Sequence, residues 1–206
     1  MDFYKTVEKE AFGEFTEQRS RFIGYVKPVS TEEQALEFIN EKKKFHWDAK
    51  HNVYAYVIRK NGIKRCSDDG EPHGTAGVPV LDVMVKSGVT DAVIVVTRYF
   101  GGILLGAGGL VRAYTRGAKE ALSSGGIITM EKCLSAFVRC DYGYYGKISS
   151  LISSCGGSID ETEFNDAVDI RYHISDEMFQ DFCQKLADTT NGSVSTETYD
   201  EKYYCK

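Results

Sequence analysis

A 26-residue run from Thr97 to Leu122, TRYFGGILLGAGGLVRAYTRGAKEAL, gathers the residue types best suited to holding an anion. Five glycines, Gly101, Gly102, Gly106, Gly108 and Gly109, fall within nine positions. An apolar, strand-like stretch from Ala92 to Val96 precedes them, and a helical pattern carrying Arg112, Arg116 and Lys119 follows. A strand, a glycine loop and a helix N-terminus in that order leave backbone N–H groups pointing outward at the positive end of a helix dipole. Arg98 ends the strand beside Tyr99 and Phe100, and Arg112 and Arg116, four apart, share a helix face. Arginine presents a planar fork that suits phosphate and stacks on rings. Tyr99, Phe100 or Tyr114, if exposed, could stack on bases. The same residues also have a packing explanation. Glycine permits positive φ and close approach of a helix to a strand, and the aromatics can be core residues beside solvated arginines.

The loop does not meet the requirements of known nucleotide cradles. It has no G-x-x-x-x-G-K-[ST], hence no phosphate-binding lysine or magnesium-binding hydroxyl. After Gly106-x-Gly108 comes Val111, where a dinucleotide loop needs Gly or Ala, and no acidic residue stands about 20 positions beyond in a following strand. It is similar to the glycine-rich loop of small-molecule kinases with a ribosomal protein S5-like fold. Those loops carry serines where this chain has Ala107, Gly108 and Gly109.

A second candidate is the acidic turn SDDGEPHG. Asp68, Asp69 and Glu71 could gather a hard cation such as magnesium, and His73 with a carboxylate could act as an acid–base pair. Asp and Gly also favour turns with no chemistry attached. Cys66 and Thr75 are near in sequence, but neither is clearly placed as a nucleophile. His46 and His51 flank Trp47 and Asp48, and read as turn or packing residues rather than ligands. The expectation is therefore no catalytic residue, no metal and no cofactor.

The six cysteines, Cys66, Cys133, Cys140, Cys155, Cys183 and Cys205, form no C-x-x-C pair and fit no zinc spacing. They read as structural thiols of a reducing compartment. The opening segment MDFYKTVEKEAFGEF is charged throughout and lacks the apolar core of a signal peptide. No stretch approaches the ~18 uncharged apolar residues of a membrane span. A cytoplasmic protein without a membrane partner is expected. Net charge is −5, unevenly spread. Residues 1–132 carry 19 Lys+Arg against 17 Asp+Glu, whereas residues 133–206 carry 6 against 13. That asymmetry points to two domains, and the acidic second part is unsuited to gripping nucleic acid broadly. The residues carry no signal of oligomeric state.

These segments must be positioned by an α+β chain. Strands are expected at Ala11–Thr16 and Ser20–Val29, then a helix capped by Ser30 with Glu33 and apolar at Ala35, Leu36, Phe38 and Ile39. Lys42–Lys44 suit its last turn as a solvated basic end. Val53–Arg59 and Ile63–Ser67 form a hairpin around Asn61-Gly62. TAGVPVLDVMVKSG reads as a helix with Pro79 near its start, ended by Gly88. A strand follows from Ala92, then a helix from about Leu105 to Ser123, stopped by Gly125-Gly126. Beyond it come a strand at Ile127–Asp141, a helix at Tyr144–Ser154, a hairpin of Ser158–Phe164 and Ala167–Ile174, a helix capped by Ser175, and a strand at Ser193–Tyr204. That β-α-β-β-α-β order is the split βαβ, ferredoxin-like signature.

CSDDGEPHGTAGVPVLDV together with VIVVTRYFGGILLGAGGLVRAYTRGAKEAL closely resembles the IMPACT/YigZ family. The pattern R-[FYW]-[FYW]-G-G-x-x-[LIVM]-G is met by Arg98, Tyr99, Phe100, Gly101, Gly102, Leu105 and Gly106. RSRFIGYVKPVSTEEQAL and HWDAKHNVYAYVI look like the same family's N-terminal segments. The resemblance implies a ribosomal protein S5 domain 2-like domain over residues 1–128 and a ferredoxin-like domain over residues 129–206. The last two domains of the translocation elongation factor have these folds in the same order. Contact with RNA or the ribosome, or with a translation-associated protein, is what that similarity implies. No enzymatic activity comes with the family.

Overall fold

The stretch Ala92–Tyr99 is buried from Ala92 through Arg98. A strand with no polar face needs cover on both sides, and the chain supplies it. The computed structural model describes residues 3–205. In chain order the elements are β1 (Phe3–Val7), β2 (Ala11–Glu17), β3 (Ser20–Pro28), α1 (Glu32–Phe45), β4 (His51–Ile58), β5 (Ile63–Ser67), α2 (Gly77–Ser87), β6 (Ala92–Tyr99) and α3 (Gly106–Gly125). They continue with β7 (Ile127–Cys140), α4 (Tyr142–Ser154), β8 (Ser158–Phe164), β9 (Val168–Ser175), α5 (Asp176–Thr190) and β10 (Thr196–Cys205). The chain divides into two compact units, Tyr4–Thr129 and a second that takes in Phe3 and the residues from Met130 onward.

In the first unit an antiparallel sheet runs β2-β3-β6-β4-β5, with β6 central. Alternate residues sort to its two faces. Val53, Ala55, Val57, Ile94 and Val96 pack with Val80, Met84, Leu110, Tyr114 and Ala118 of α2 and α3. Tyr56, Ile58, Val93 and Val95 pack with Ala35, Phe38 and Ile39 of α1. One sheet between two helical layers thus explains the unbroken apolar run of β6. α3 lies close against β3, where a Cβ on Gly24 would collide with the Gly117 carbonyl.

The second sheet has five strands: β10-β7-β9-β8, each pair antiparallel, with β1 also paired to β7. The order β10-β7-β9-β8 is the ferredoxin-like arrangement the element order predicts. Val138, Ile170, Tyr172 and Ile174 meet Ile148 and Ile152 of α4 and Phe182 and Leu186 of α5.

Some local expectations shift. β1 is an element the sequence reading omits; its Lys5 carbonyl accepts the Thr90 N–H at 2.8 Å. The cap of α1 lies one residue later than Ser30/Glu33. Thr31 Oγ1 accepts the Gln34 N–H at 3.3 Å, and Gln34 Oε1 accepts the Ser30 N–H at 2.8 Å. Gln34 thus reaches one residue beyond the N-cap, whose N–H a capping box would engage. Leu36 is exposed rather than packed. Lys42 is not a solvated end: it is buried, pairs with Glu10 and Glu41, and lies over the Phe38 and Tyr25 rings. Ser175 occupies the N-cap of α5 without a side-chain bond to the helix. Gly88 and Gly126 end α2 and α3 as expected.

Candidate functional site

Phe22, Arg98 and His51 stand side by side across β3, β6 and β4. Arg98 follows Val96 by two residues, so it faces the α2/α3 side. It is 5% exposed. Its Nη1 donates to Glu71 Oε1 at 2.7 Å, and Tyr114 donates its hydroxyl to the same oxygen at 2.8 Å. Burial and the Glu71 carboxylate push the Tyr114 hydroxyl well above the usual tyrosine range, so it remains a donor. The Arg98 guanidinium carbon lies 5.5 and 5.4 Å from the ring centres of Phe22 and Phe100. Phe22 meets Tyr114 edge to face at 5.4 Å. His51 Nδ1 donates to the Asp69 carbonyl at 2.8 Å, placing Nε2 3.8 Å from Glu71 Oε1. Arg98 Nε is buried with no hydrogen-bond partner, a state that ordinarily costs about 1–3 kcal/mol.

The acidic turn holds this cluster in place. Asp68 accepts backbone N–H groups from Gly74, Ala76 and Gly77 at 2.9, 3.1 and 2.8 Å, standing in for the side-chain cap that α2 lacks. Burial raises the Asp68 carboxyl, but these three donors outweigh it and hold it below the usual aspartate range. Asp69 accepts the Asn52 N–H at 2.7 Å and the Lys43 ammonium at 2.6 Å. Glu71 alone of the three turns inward. His73 is fully exposed and lies 3.7 Å from Asp68, outside the cluster. The carboxylate beside His73 is therefore Asp68, at the exposed side of the turn, and not the buried Glu71. Among the described residues no group of three or more His, Cys, Asp or Glu could hold a metal ion.

The glycine loop closes the other side. Lys50, His51, Glu71, Arg98, Phe100 and the α3 start, Leu104 to Ala107, line a cleft of about 400 Å³. Gly101 donates its N–H to Ser20 Oγ at 3.3 Å, and a Cβ there would run into the Arg19 backbone. Gly106 opens α3 at φ +68° and lines the cleft. Gly102 and Gly108 are exposed and Gly109 is buried. The packing explanation applies to Gly101, while Gly106 meets the geometric condition of the anion-site expectation, a helix start at a cleft.

Arg98, Tyr99, Arg112 and Arg116 do not form one surface. Tyr99 is next to Arg98 on a strand and so faces the opposite side. There it takes the His46 Nδ1–H at 2.8 Å and donates to Asp48 at 3.0 Å, while Tyr25 donates to His46 Nε2 at 2.7 Å. This relay borders a groove of about 870 Å³ with Phe12, Phe45 and Lys42. Arg116 lies over the Phe15 ring at 4.2 Å and pairs with Glu120. Arg112 is exposed, and neither it nor Arg116 lines the Arg98 cleft. Tyr114 is wholly buried and unavailable to stack on a base. No disulfide is present among the described residues; Cys133, Cys140 and Cys155 are buried and Cys205 is exposed. Cys66 is half-buried against the core, and burial with nearby Asp68 pushes its thiol up, away from reactivity.

The sequence reading missed Lys50, His51 and Leu104 as cleft residues. The hairpin held the signal for His51. Ile58 pairs with Ile63 and Tyr54 with Ser67, so the same register carried on sets His51 opposite Gly70, next to Glu71.

Residues 18–122 match the Impact N-terminal domain, and residues 138–193 match a domain of unknown function, DUF1949. IMPACT family member YvyE of Bacillus subtilis is 39% identical over 204 residues, 97% of this chain and 94% of that one. IMPACT family member YigZ of Escherichia coli is 35% identical, covering 89% of this chain and 92% of its own length. Protein IMPACT of Mus musculus is 40% identical over 98 residues, 44% of this chain and 30% of that protein. A solved structure titled as a hypothetical protein aligns at TM-score 0.61 and 32% identity, over 98% of this chain and 100% of the other. With both domain matches in order and full-length relatives at this identity, the chain belongs to the IMPACT family.

Proposed function

We propose that this protein is a non-catalytic regulator linked to translation, docking on the ribosome or on a translation-associated protein through the glycine-loop surface of its first unit. The observation that carries this reading is the loop between β6 and α3. It presents Phe100, Ile103 and Leu104 at 43, 39 and 84% exposure. Lys50, Phe100's cationic neighbour, and the exposed Arg112 flank the same region. Apolar side chains held out on a loop that is itself pinned to Ser20 suit a docking surface. Arg98 supports that loop from beneath, with its charge committed to Glu71. RNA contact by this surface would rest on Lys50 and Arg112 rather than on Arg98. The rival reading, a phosphate-binding enzyme using the acidic turn, needs free carboxylates. Asp68, Asp69 and Glu71 are instead all engaged by backbone or side-chain donors.

Cosedimentation with ribosomes from a cell extract tests the proposal. Leu104→Asp should lower the bound fraction about tenfold, the scale of losing one apolar anchor. Arg112→Glu should weaken binding and make its salt dependence shallower if RNA is the surface met, and leave the salt dependence unchanged if protein is. Binding indifferent to Leu104→Asp would reject the loop as the docking surface.

A further inference from the structure

The cleft behind the loop carries more than a docking edge. Its charges are unevenly balanced. Glu71 and Arg98 neutralise each other, with Tyr114 adding a second donor to the carboxylate. What remains is positive. Lys50 lines the cleft, is exposed, and has no carboxylate partner among the described residues. The 20-residue helix α3 starts at the cleft wall with no side-chain cap on its N-terminal N–H groups. A helix end of this kind is worth about half a positive charge. Arg98, 95% buried within the cleft wall, keeps an Nε–H with no acceptor. The rest of the wall is apolar: Pro72, Phe100, Leu104, Leu105 and Leu110. At about 400 Å³ the space falls within the range of about 300–1,000 Å³ typical of small-molecule sites.

We infer that this cleft binds a small amphipathic carboxylate, its charged end held by Lys50, Arg98 and the α3 N-terminus and its apolar body by Phe100, Leu104 and Leu105. A monoanion matches the surplus positive charge. A phosphate dianion fits less well, because Glu71 lies in the floor and the apolar wall offers it no donors. A neutral ligand would leave the ammonium and helix end without an acceptor. This site goes beyond the docking reading and does not depend on it: the two share Lys50, Phe100 and Leu104, but Ile103 and Arg112 lie outside the cleft lining and belong to the docking surface alone.

Titration of the full chain with phenylacetate and 4-methylpentanoate, followed by calorimetry and by shifts of backbone amide resonances, tests the assignment. Phenylacetamide and inorganic phosphate serve as the neutral and the dianionic probes. Both carboxylates should bind saturably, with resonances of Gly106 and Ala107 among those that move. The amide should bind at least about tenfold more weakly, having lost the charge-assisted bonds. Lys50→Ala should weaken the carboxylates by about tenfold through loss of the same kind of bond, with an unchanged melting temperature because Lys50 is exposed. Arg98→Lys is the sharper probe of Nε, but it disturbs a buried pair, so Lys50→Ala carries the decision. Four results would each overturn the assignment: amide binding as tight as carboxylate, phosphate binding without carboxylate binding, carboxylate binding indifferent to Lys50→Ala, or no saturation below about 50 mM, a free energy under about 2 kcal/mol. Loss of ribosome docking in Ile103→Asp, a loop residue outside the cleft lining, with carboxylate binding retained would show two separate functions for the loop.

Discussion

Removing one member of a buried ion pair strands the other. Arg98→Met would leave the Glu71 carboxylate, 4% exposed in its side chain, with only Tyr114 as donor. That should destabilise the chain by about 3–5 kcal/mol, seen as a lower urea midpoint with unchanged slope. Arg98→Met/Glu71→Leu should recover a large part of the loss, because no charge is then left buried. If the double variant were as unstable as the single one, the pair would matter through Arg98's contacts with Phe22 and Phe100 rather than through its charge. The sequence made Arg98 prominent but could not show its partner, since Glu71 lies 27 positions away and reaches it through a turn and a hairpin. An arginine beside glycines looks like a phosphate ligand until a carboxylate is found to hold it.

His46 caps the C-terminus of α1 and ties that helix to the sheet. It is neutral in the relay from Tyr25 through Tyr99 to Asp48. Burial chiefly, with Arg21 and Lys42 assisting, holds its pKa below the ordinary 6.5, against the pull of Asp48. Between the lowered folded value and 6.5 the unfolded chain binds more protons than the folded one. The relay's contribution is therefore complete above pH 6.5 and declines as the pH falls below it. Melting temperature should drop from about pH 7 to about pH 5, and His46→Gln should flatten that dependence. An equal slope in the variant would assign the acid sensitivity to other groups. At this scale the sequence was most readable. Gly88 and Gly126 stop their helices where expected, and Asn61-Gly62 makes its hairpin. The errors arose where two adjacent residues could each do the same job, as with Ser30 and Thr31 at the α1 cap. They also arose where an element such as β1 is too short and polar to show a period. Register was the unread signal, for a strand's alternation alone separates Arg98 from Tyr99.

Each unit has its own apolar interior, and that has a consequence for the whole molecule. Residues 127–206 contain all four strands of the β10-β7-β9-β8 order, both helices and the full cluster around Ile148, Ile170, Tyr172 and Phe182. A segment with four of the five strands of its sheet, both helices and a full core meets the conditions for folding alone, β1 being the strand it lacks. The fragment should show the far-ultraviolet dichroism of an α+β protein and a single cooperative urea transition. It should also differ from the first unit in its partners. Residues 133–206 carry 13 acidic side chains against 6 basic ones, so the isolated fragment should not pellet with ribosomes at low salt, where phosphate contacts are strongest. The fragment of residues 1–126 bears Lys50, the glycine loop and Arg112, and should retain whatever ribosome binding the full chain has. If the acidic fragment pelleted and the first one did not, the docking surface would have to be sought on the ferredoxin-like unit. Leu104 would then be exposed for some other reason. The charge division that marks the two units in the sequence is thus also the property that lets their roles be separated by experiment.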